Sequence, residues 1–404
     1  MGVIWTHSMN ANFYRLITAR FCFALAVQSQ AVLMGWQMYD LTKDPLQLGL
    51  IGLAAAIPAL SLSLFAGLWV DRGNPLRIYQ GVILSSACSV LIGWHAKSPS
   101  DLYIAAIMTG LVRGFTGPAM NTLVPKLVTR DQLRVASAYS TTANRLALVI
   151  GPGLAGVLLG IHGYGLPYLM AMISLFVASV SLIMVRYSHV PMIKKTPQPN
   201  PSIRHELLIG VRYVFKHPLL LSAMSLDMFA VLFGGVTALL PIYAAEVLFV
   251  GPSGLGWLRA APAFGAIFMG LYLIKSPVRE NAGRWLLTSV LGFGICILVF
   301  GISKNYWLSL GALAVSGALD SVSMVVRGAI VQLCSPEEMR GRIGAVNSIF
   351  IGSSNEIGEF ESGVAAKLLG TVTSVMFGGT MTVLTVLLVF WKAKDLRKLD
   401  LSKL

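Results

Sequence analysis

A succession of apolar runs, each about 20 residues long and separated by short polar connections, limits this chain more than any other feature. Bilayer hydrocarbon offers no water to exposed N–H and C=O groups, so such runs cross it as α-helices that close their own hydrogen bonds. Twelve segments are read, at 12–40, 46–70, 76–95, 101–125, 135–160, 164–187, 218–245, 253–275, 284–303, 306–333, 341–368 and 371–392. The composition agrees: 55% of residues are hydrophobic and 12% charged, against about 45–50% and 25% in soluble domains. The expected fold is an all-α membrane protein of twelve transmembrane helices. They form two six-helix bundles, 1–187 and 218–404, joined by the Pro- and Lys-rich linker 188–217.

The second half repeats the first at a constant offset of 207 residues. Pro45, Leu48 and Gly49 recur as Pro252, Leu255 and Gly256, and Gly110, Ala138, Gly151 and Gly156 recur as Gly317, Ala345, Gly358 and Gly363. Each half holds an even number of segments, so both enter the membrane in the same sense, as a parallel repeat with substrate sites expected at the midplane between them. The charges do not repeat: Arg20 falls on Asp227 and Arg113 on Asp320. Two intramembrane arginines thus become carboxylates in the other half.

A net charge of +14 suggests nucleic acid in a soluble protein, but most of the 31 Lys and Arg collect on alternate connections, as the positive-inside rule requires. That places both termini in the cytoplasm, and the basic residues orient the chain and touch anionic lipid, with no nucleic-acid partner expected. Met1 to Asn12 is short and polar, and the run that follows is too long for a cleaved signal peptide, so it is expected to stay attached as the first helix. Cys22, Cys88, Cys296 and Cys334 show no metal-like spacing, and the six histidines fall in loops or at helix ends. No metal or cofactor is expected, and no P-loop, Gly-x-Ser-x-Gly or His-Glu-x-x-His supports enzyme chemistry.

Three motifs fall in helix order. Gly67-Leu-Trp-Val-Asp71-Arg72-Gly73, followed by Arg77, closes the second segment; Arg113-Gly-Phe-Thr-Gly117 lies in the fourth; Gly151-Pro152-Gly153-Leu154-Ala155-Gly156 lies in the fifth. In this order and register they resemble the motifs of the major facilitator superfamily. The stretches GWQMYDLTKDPLQLGLIGLA, YAAEVLFVGPSGLGWLRAAPAFGA and SSNEIGEFESG resemble its enterobactin exporter branch, and the resemblance covers nearly the whole chain. It implies an alternating-access transporter, with Gly67, Asp71, Arg72, Arg77, Gly151 and Pro152 as gating residues. Asn74-Pro75 departs from the basic residues usual in the first motif.

Arg20, Arg113 and Arg145 lie within membrane segments of a first half that offers them no intramembrane carboxylate. An unpaired arginine there costs at least about 2.5–3.5 kcal/mol, so each is expected to face a cavity, an acid or a ligand. Snorkelling competes as the reading for Arg20, and a helix-packing role for Arg145. Trp36 joins the arginines as a substrate-binding candidate, while most other aromatics are interfacial. The second half carries Asp227, Asp320, Glu356, Glu359 and Glu361, with Arg259 and Arg327 as possible partners. Desolvation disfavours the charged form of a buried carboxyl, which makes Asp227, Asp320, Glu356 and Glu359 candidates for proton coupling. A salt bridge from Asp320 to Arg327, two turns along one helix face, is the competing structural reading. The expectation is a monomeric inner-membrane exporter that exchanges protons for a small anionic or phenolic molecule such as a siderophore. A multidrug exporter is the alternative, and a non-transporting receptor or scaffold a third.

Overall fold

The computed structural model describes residues 9–186, 203–278 and 280–401. Among them there are helices, turns and no strand. The long helices are α1 (Ala11–Thr42), α2 (Pro45–Arg72), α3 (Pro75–His95), α4 (Pro99–Leu127), α5 (Leu133–His162) and α6 (Gly165–Ile183). After α7 (Ile203–Lys216) come α8 (Pro218–Gly234), the single turn α9 (Leu240–Ile242), α10 (Gly251–Lys275), α11 (Ala282–Ile302) and α12 (Tyr306–Leu333). The chain closes with α13 (Arg340–Leu369), α14 (Thr371–Lys392) and the short α15 (Lys394–Arg397). Among the described residues, 10 helices are long and apolar enough to cross a membrane. The twelve-segment reading also counted the segments that form α4 and α13, which are 29 and 30 residues long but more polar. Asp101, Arg113 and Lys126 interrupt the first, and Arg340, Arg342, Glu356, Glu359, Glu361 and Lys367 the second.

The expected linker 188–217 lies partly outside the described residues; its last part, 203–216, is the helix α7. Its apolar residues recur at helical spacing, and Gly210 lets it press on the Arg342 carbonyl of α13, 3.0 Å from where a Cβ would sit.

Contacts divide the chain into two compact units. One gathers α1, α2 from Ala54 onward, α3 to α6, and Gly251–Ala260 at the start of α10; the other gathers Lys43–Leu53, α7 to α9, α10 from Ala261, and the helices after it. In the first unit α1 packs on α5 and α6, and α3 on α4 and α6. In the second, α8 packs on α13 and α14, and α11 on α12 and α14. The 207-residue repeat is therefore also a repeat of helix neighbours.

Glycines set the closest of these approaches. Hydrocarbon gives helices no hydrophobic reason to associate, so tight packing of small residues carries the association. Gly110 of α4 lies against the carbonyl of Ala55 in α2, and its repeat partner Gly317 of α12 lies against the carbonyl of Pro262 in α10. Gly256 of α10 meets Gly156 of α5 inside the first unit: a Cβ on Gly156 falls 2.6 Å from the Gly256 Cα. The repeat-equivalent pair, Gly49 and Gly363, meets inside the second unit, where a Cβ on Gly363 falls 2.8 Å from the Gly49 Cα.

The two units differ at their first helix. Whereas α1 runs unbroken for 32 residues, α8 stops at Gly234 after 17 and continues through a 3₁₀ turn, α9 and a π-helical turn, Tyr243–Val247. The break frees backbone groups that hydrocarbon cannot solvate. One is answered by Ser362 of α13, whose Oγ donates to the Gly235 carbonyl at 2.9 Å.

Gly256→Val is expected to destabilise the protein by about 1–3 kcal/mol, because the new methyl groups meet helix backbone that cannot yield. Gly81, with no atom within 4 Å of its would-be Cβ, is the control. Gly81→Ala should be neutral or slightly stabilising in thermal unfolding of the detergent-solubilised protein.

Candidate functional site

In the first unit the polar groups are drawn inward from three helices. The Arg20 guanidinium of α1 donates to the Ser140 Oγ of α5, and no carboxylate among the described residues pairs with it. Tyr79 of α3 lies within electrostatic reach of Arg20. Its ring is fully buried and its hydroxyl has no hydrogen-bond partner among the described residues. Arg20 therefore turns into the bundle toward hydroxyls, rather than snorkelling along a helix. Arg145, half-buried on α5, has neither ion pair nor hydrogen bond among the described residues. Arg113 is exposed on α4 and engaged in an interaction of its own.

Trp36 is half-buried, tilted against Tyr39 with ring centroids 5.8 Å apart, and packs on the first unit's apolar core. Above it, Tyr168 donates to Gln37 Oε1 at 2.8 Å, and Tyr164 donates to Asp40 Oδ2 at 2.5 Å.

The gating candidates are placed as follows. Gly67 is open to its surroundings, and Arg77 is exposed on the first turn of α3. The side chains of Asp71 and Arg72 lie outside the described residues. Asn74, the departure in the first motif, caps α3: its Oδ1 accepts from Leu76 N at 3.0 Å and Arg77 N at 3.4 Å. Gly151 lets α5 close on α1, a Cβ there falling 2.9 Å from Gln28 Cβ, and Ser29 Oγ donates to the Gly151 carbonyl at 3.2 Å. The Pro152 carbonyl stands 2.5 Å from a would-be Cβ on Gly256. Arg259, offered by the sequence as a partner for second-half acids, donates to the Ala31 carbonyl of α1 at 3.2 Å.

In the second unit Asp227 of α8 forms an ion pair with Arg327 of α12, both side chains being nearly inaccessible, at 7% and 4%. The sequence offered Arg327 as a partner for the second-half acids, Asp320 on its own helix among them, and the fold pairs it across to Asp227 of α8. Asp227 and Asp320 nonetheless share one small pocket, together with Ser289 and Ser323. On α13, Glu356 is buried and Glu359 half-buried, with Glu359 Oε2 pressed on the start of α2, 2.6 Å from a would-be Cβ on Gly52. The structure thus brings Asp227, Asp320 and Arg327 together in one cluster and leaves Glu359 in a different setting. Ser140, Tyr79, Ser289 and Ser323 were absent from the sequence reading, since single hydroxyls in apolar helices carry no signal that separates them from packing.

Among the described residues no three His, Cys, Asp or Glu side chains gather as a metal site. Comparison with known proteins shows the family. The enterobactin exporter EntS of Citrobacter koseri is 26% identical over 398 residues, covering 96% of this chain and 92% of its own. The Escherichia coli protein of the same name is 26% identical over 376 residues, covering 90% and 86%. Among solved structures, a bacterial homologue of the human lysosomal transporter Spinster, in an inward-facing and unoccupied conformation, superposes with a TM-score of 0.74 at 14% identity, covering 97% of each chain. The nucleoside transporter NupG superposes with a TM-score of 0.71 at 13% identity, covering 96% of this chain and all of its own. The sequence pattern of the Major Facilitator Superfamily matches residues 16–354. With most of its length matched in sequence and its helices superposing on solved transporters, this multi-pass membrane protein belongs to the Major Facilitator Superfamily of transporters and is not an enzyme.

Proposed function

We propose that the protein is a secondary exporter of a small anionic or phenolate-bearing molecule of the siderophore class, driven by proton antiport through alternating access. It acts as a monomer in the bacterial inner membrane, with both termini cytoplasmic. The observation that carries the cargo class is Arg145: a half-buried guanidinium in a membrane helix, without a partner among the described residues. A charge kept there at such cost is accounted for by a ligand that neutralises it. Arg20, held only by a hydroxyl, supports the same reading, as does the likeness to enterobactin exporters along nearly the whole chain. Arg113 and Trp36 remain candidates for the same cargo site. Planar guanidinium groups suit catecholate and carboxylate oxygens, which they meet with paired charge-assisted hydrogen bonds.

Among the four acids proposed for the coupling proton, Glu359 is favoured. Asp227 already has a guanidinium partner, whereas Glu359 sits half-buried against a helix backbone with no cation paired to it among the described residues.

Arg145→Gln is expected to weaken binding of an anionic catecholate siderophore by about 1.5–3 kcal/mol, the value of one hydrogen bond to a charged group. A neutral dye should bind folded wild type and variant alike; equal loss for both ligands would remove the cargo assignment. In proteoliposomes, an imposed pH gradient should accelerate siderophore movement several-fold, and Glu359→Gln should abolish the acceleration while binding persists. Transport indifferent to the gradient in the wild type would end the antiport reading.

A further inference from the structure

We infer that helix α7 docks on an anionic phospholipid surface, with Leu208 and Phe215 in the acyl boundary and Arg212 and Lys216 on the headgroup phosphates. The inference is independent of the cargo and of the coupling ion.

The fold first fixes the height of α7. It ends at Lys216, and α8 begins at Pro218 as part of a run apolar enough to cross a membrane. Tyr213 donates through its hydroxyl to the Cys334 carbonyl at 3.2 Å, just past the end of α12, and Gly210 presses on the Arg342 carbonyl in the first turn of α13. The ends of three long helices thus hold α7 at one level. At 14 residues it is too short to cross the bilayer itself.

One side of α7 is taken by the protein. Gly210 and Val214, one turn apart, are buried, the latter in the second unit's apolar core. On the opposite side Leu208 and Phe215, two turns apart, are 65% and 59% exposed. Beside that stripe stand Arg212 and Lys216, one turn apart and also exposed. Neither cation has an ion pair or a side-chain hydrogen bond among the described residues. Water suits the cations and not the large apolar pair, whereas hydrocarbon suits only the pair. The boundary between headgroups and acyl chains accommodates both.

Charge then selects the surface. The short α15 packs against α8 as α7 does, and Lys392, Lys394 and Lys398 in and around it are exposed. Next to them Trp391 is 79% exposed, the place of an interfacial anchor. A zwitterionic lipid receives the apolar stripe but gains little from these cations, and a second copy docked face to face brings the same positive charge against itself. Anionic headgroups attract each basic residue at the surface.

The test is hydrogen–deuterium exchange of the full-length protein in single-copy nanodiscs of phosphatidylcholine, alone or with an equal part of phosphatidylglycerol. Exchange of helix amides follows how readily the helix opens. In the wild type the amides of 203–216 should exchange at least about fivefold more slowly with phosphatidylglycerol present, the effect of one basic residue at an anionic surface, while those of α12 exchange alike in both. Arg212→Gln with Lys216→Gln should remove the difference; Lys304→Gln, an exposed lysine at the far end of α11, should keep it. Leu208→Gln with Phe215→Gln should speed exchange of the same amides in both lipids. Equal exchange in the two lipids, a difference that survives the loss of both cations, or exchange indifferent to the loss of both apolar residues would overturn the site. Protection confined to discs loaded with two copies would give the face to a second copy and overturn it too. Should a variant not fold, the wild-type comparison decides the matter by itself. No transport is read here, so this outcome and that of the exporter reading are separable.

Discussion

Helices in hydrocarbon are held together by how closely their backbones can approach, and the architecture follows from a few places where that approach is closest. At Gly156 with Gly256, and at Gly49 with Gly363, the two backbones are separated by little more than the missing side chains. At Gly110 and Gly317 a helix carbonyl occupies the space that a Cβ would take. These glycines are related by the chain's own repeat, so one packing solution has been used twice. The first turns of α2 and α10 are bound through them to a different compact unit from the rest of the same helix.

Within that scaffold the chemistry is unevenly shared. In the first unit Arg20 donates to Ser140 and Arg259 to the Ala31 carbonyl, while Arg145 has no partner among the described residues. The second buries Asp227 and Glu356, and pairs the first of them with Arg327. Removing either member of that pair strands the other in a medium that cannot solvate it, which is worth more than the attraction itself. Duplication supplied two equivalent frames, and the charges were then sorted between them.

Much of the frame was legible in the sequence because its signals are local. The apolar runs locate the helices to within a few residues, and the glycines and prolines recurring at one offset foretell equivalent crossings. The segment 218–245 reads as a single helix, since its hydropathy does not fall where Gly234-Gly235 and Pro241 interrupt the backbone. Helix α7 was hidden inside a stretch whose average polarity is high although its apolar residues keep helical spacing. The site was less legible for a geometric reason. Asp227 and Arg327 are a hundred residues apart, and whether Arg327 turns toward Asp320 or toward α8 depends on helix rotation, which spacing alone does not fix. Ser323 looks like any small residue in an apolar helix until its surroundings reveal an oxygen without a partner.

The interrupted first helix of the second unit has a mechanical consequence. In α1 every attempt to bend must open hydrogen bonds of a continuous ladder, so the helix moves as a rod. Its counterpart has already surrendered that continuity between Gly234 and Val247, and Ser362 holds one of the freed carbonyls from the side. Bending there need not open a continuous ladder of helix hydrogen bonds. Two copies of one ancestral bundle have thus come to differ in compliance: one a stiff lever, the other a lever with a joint.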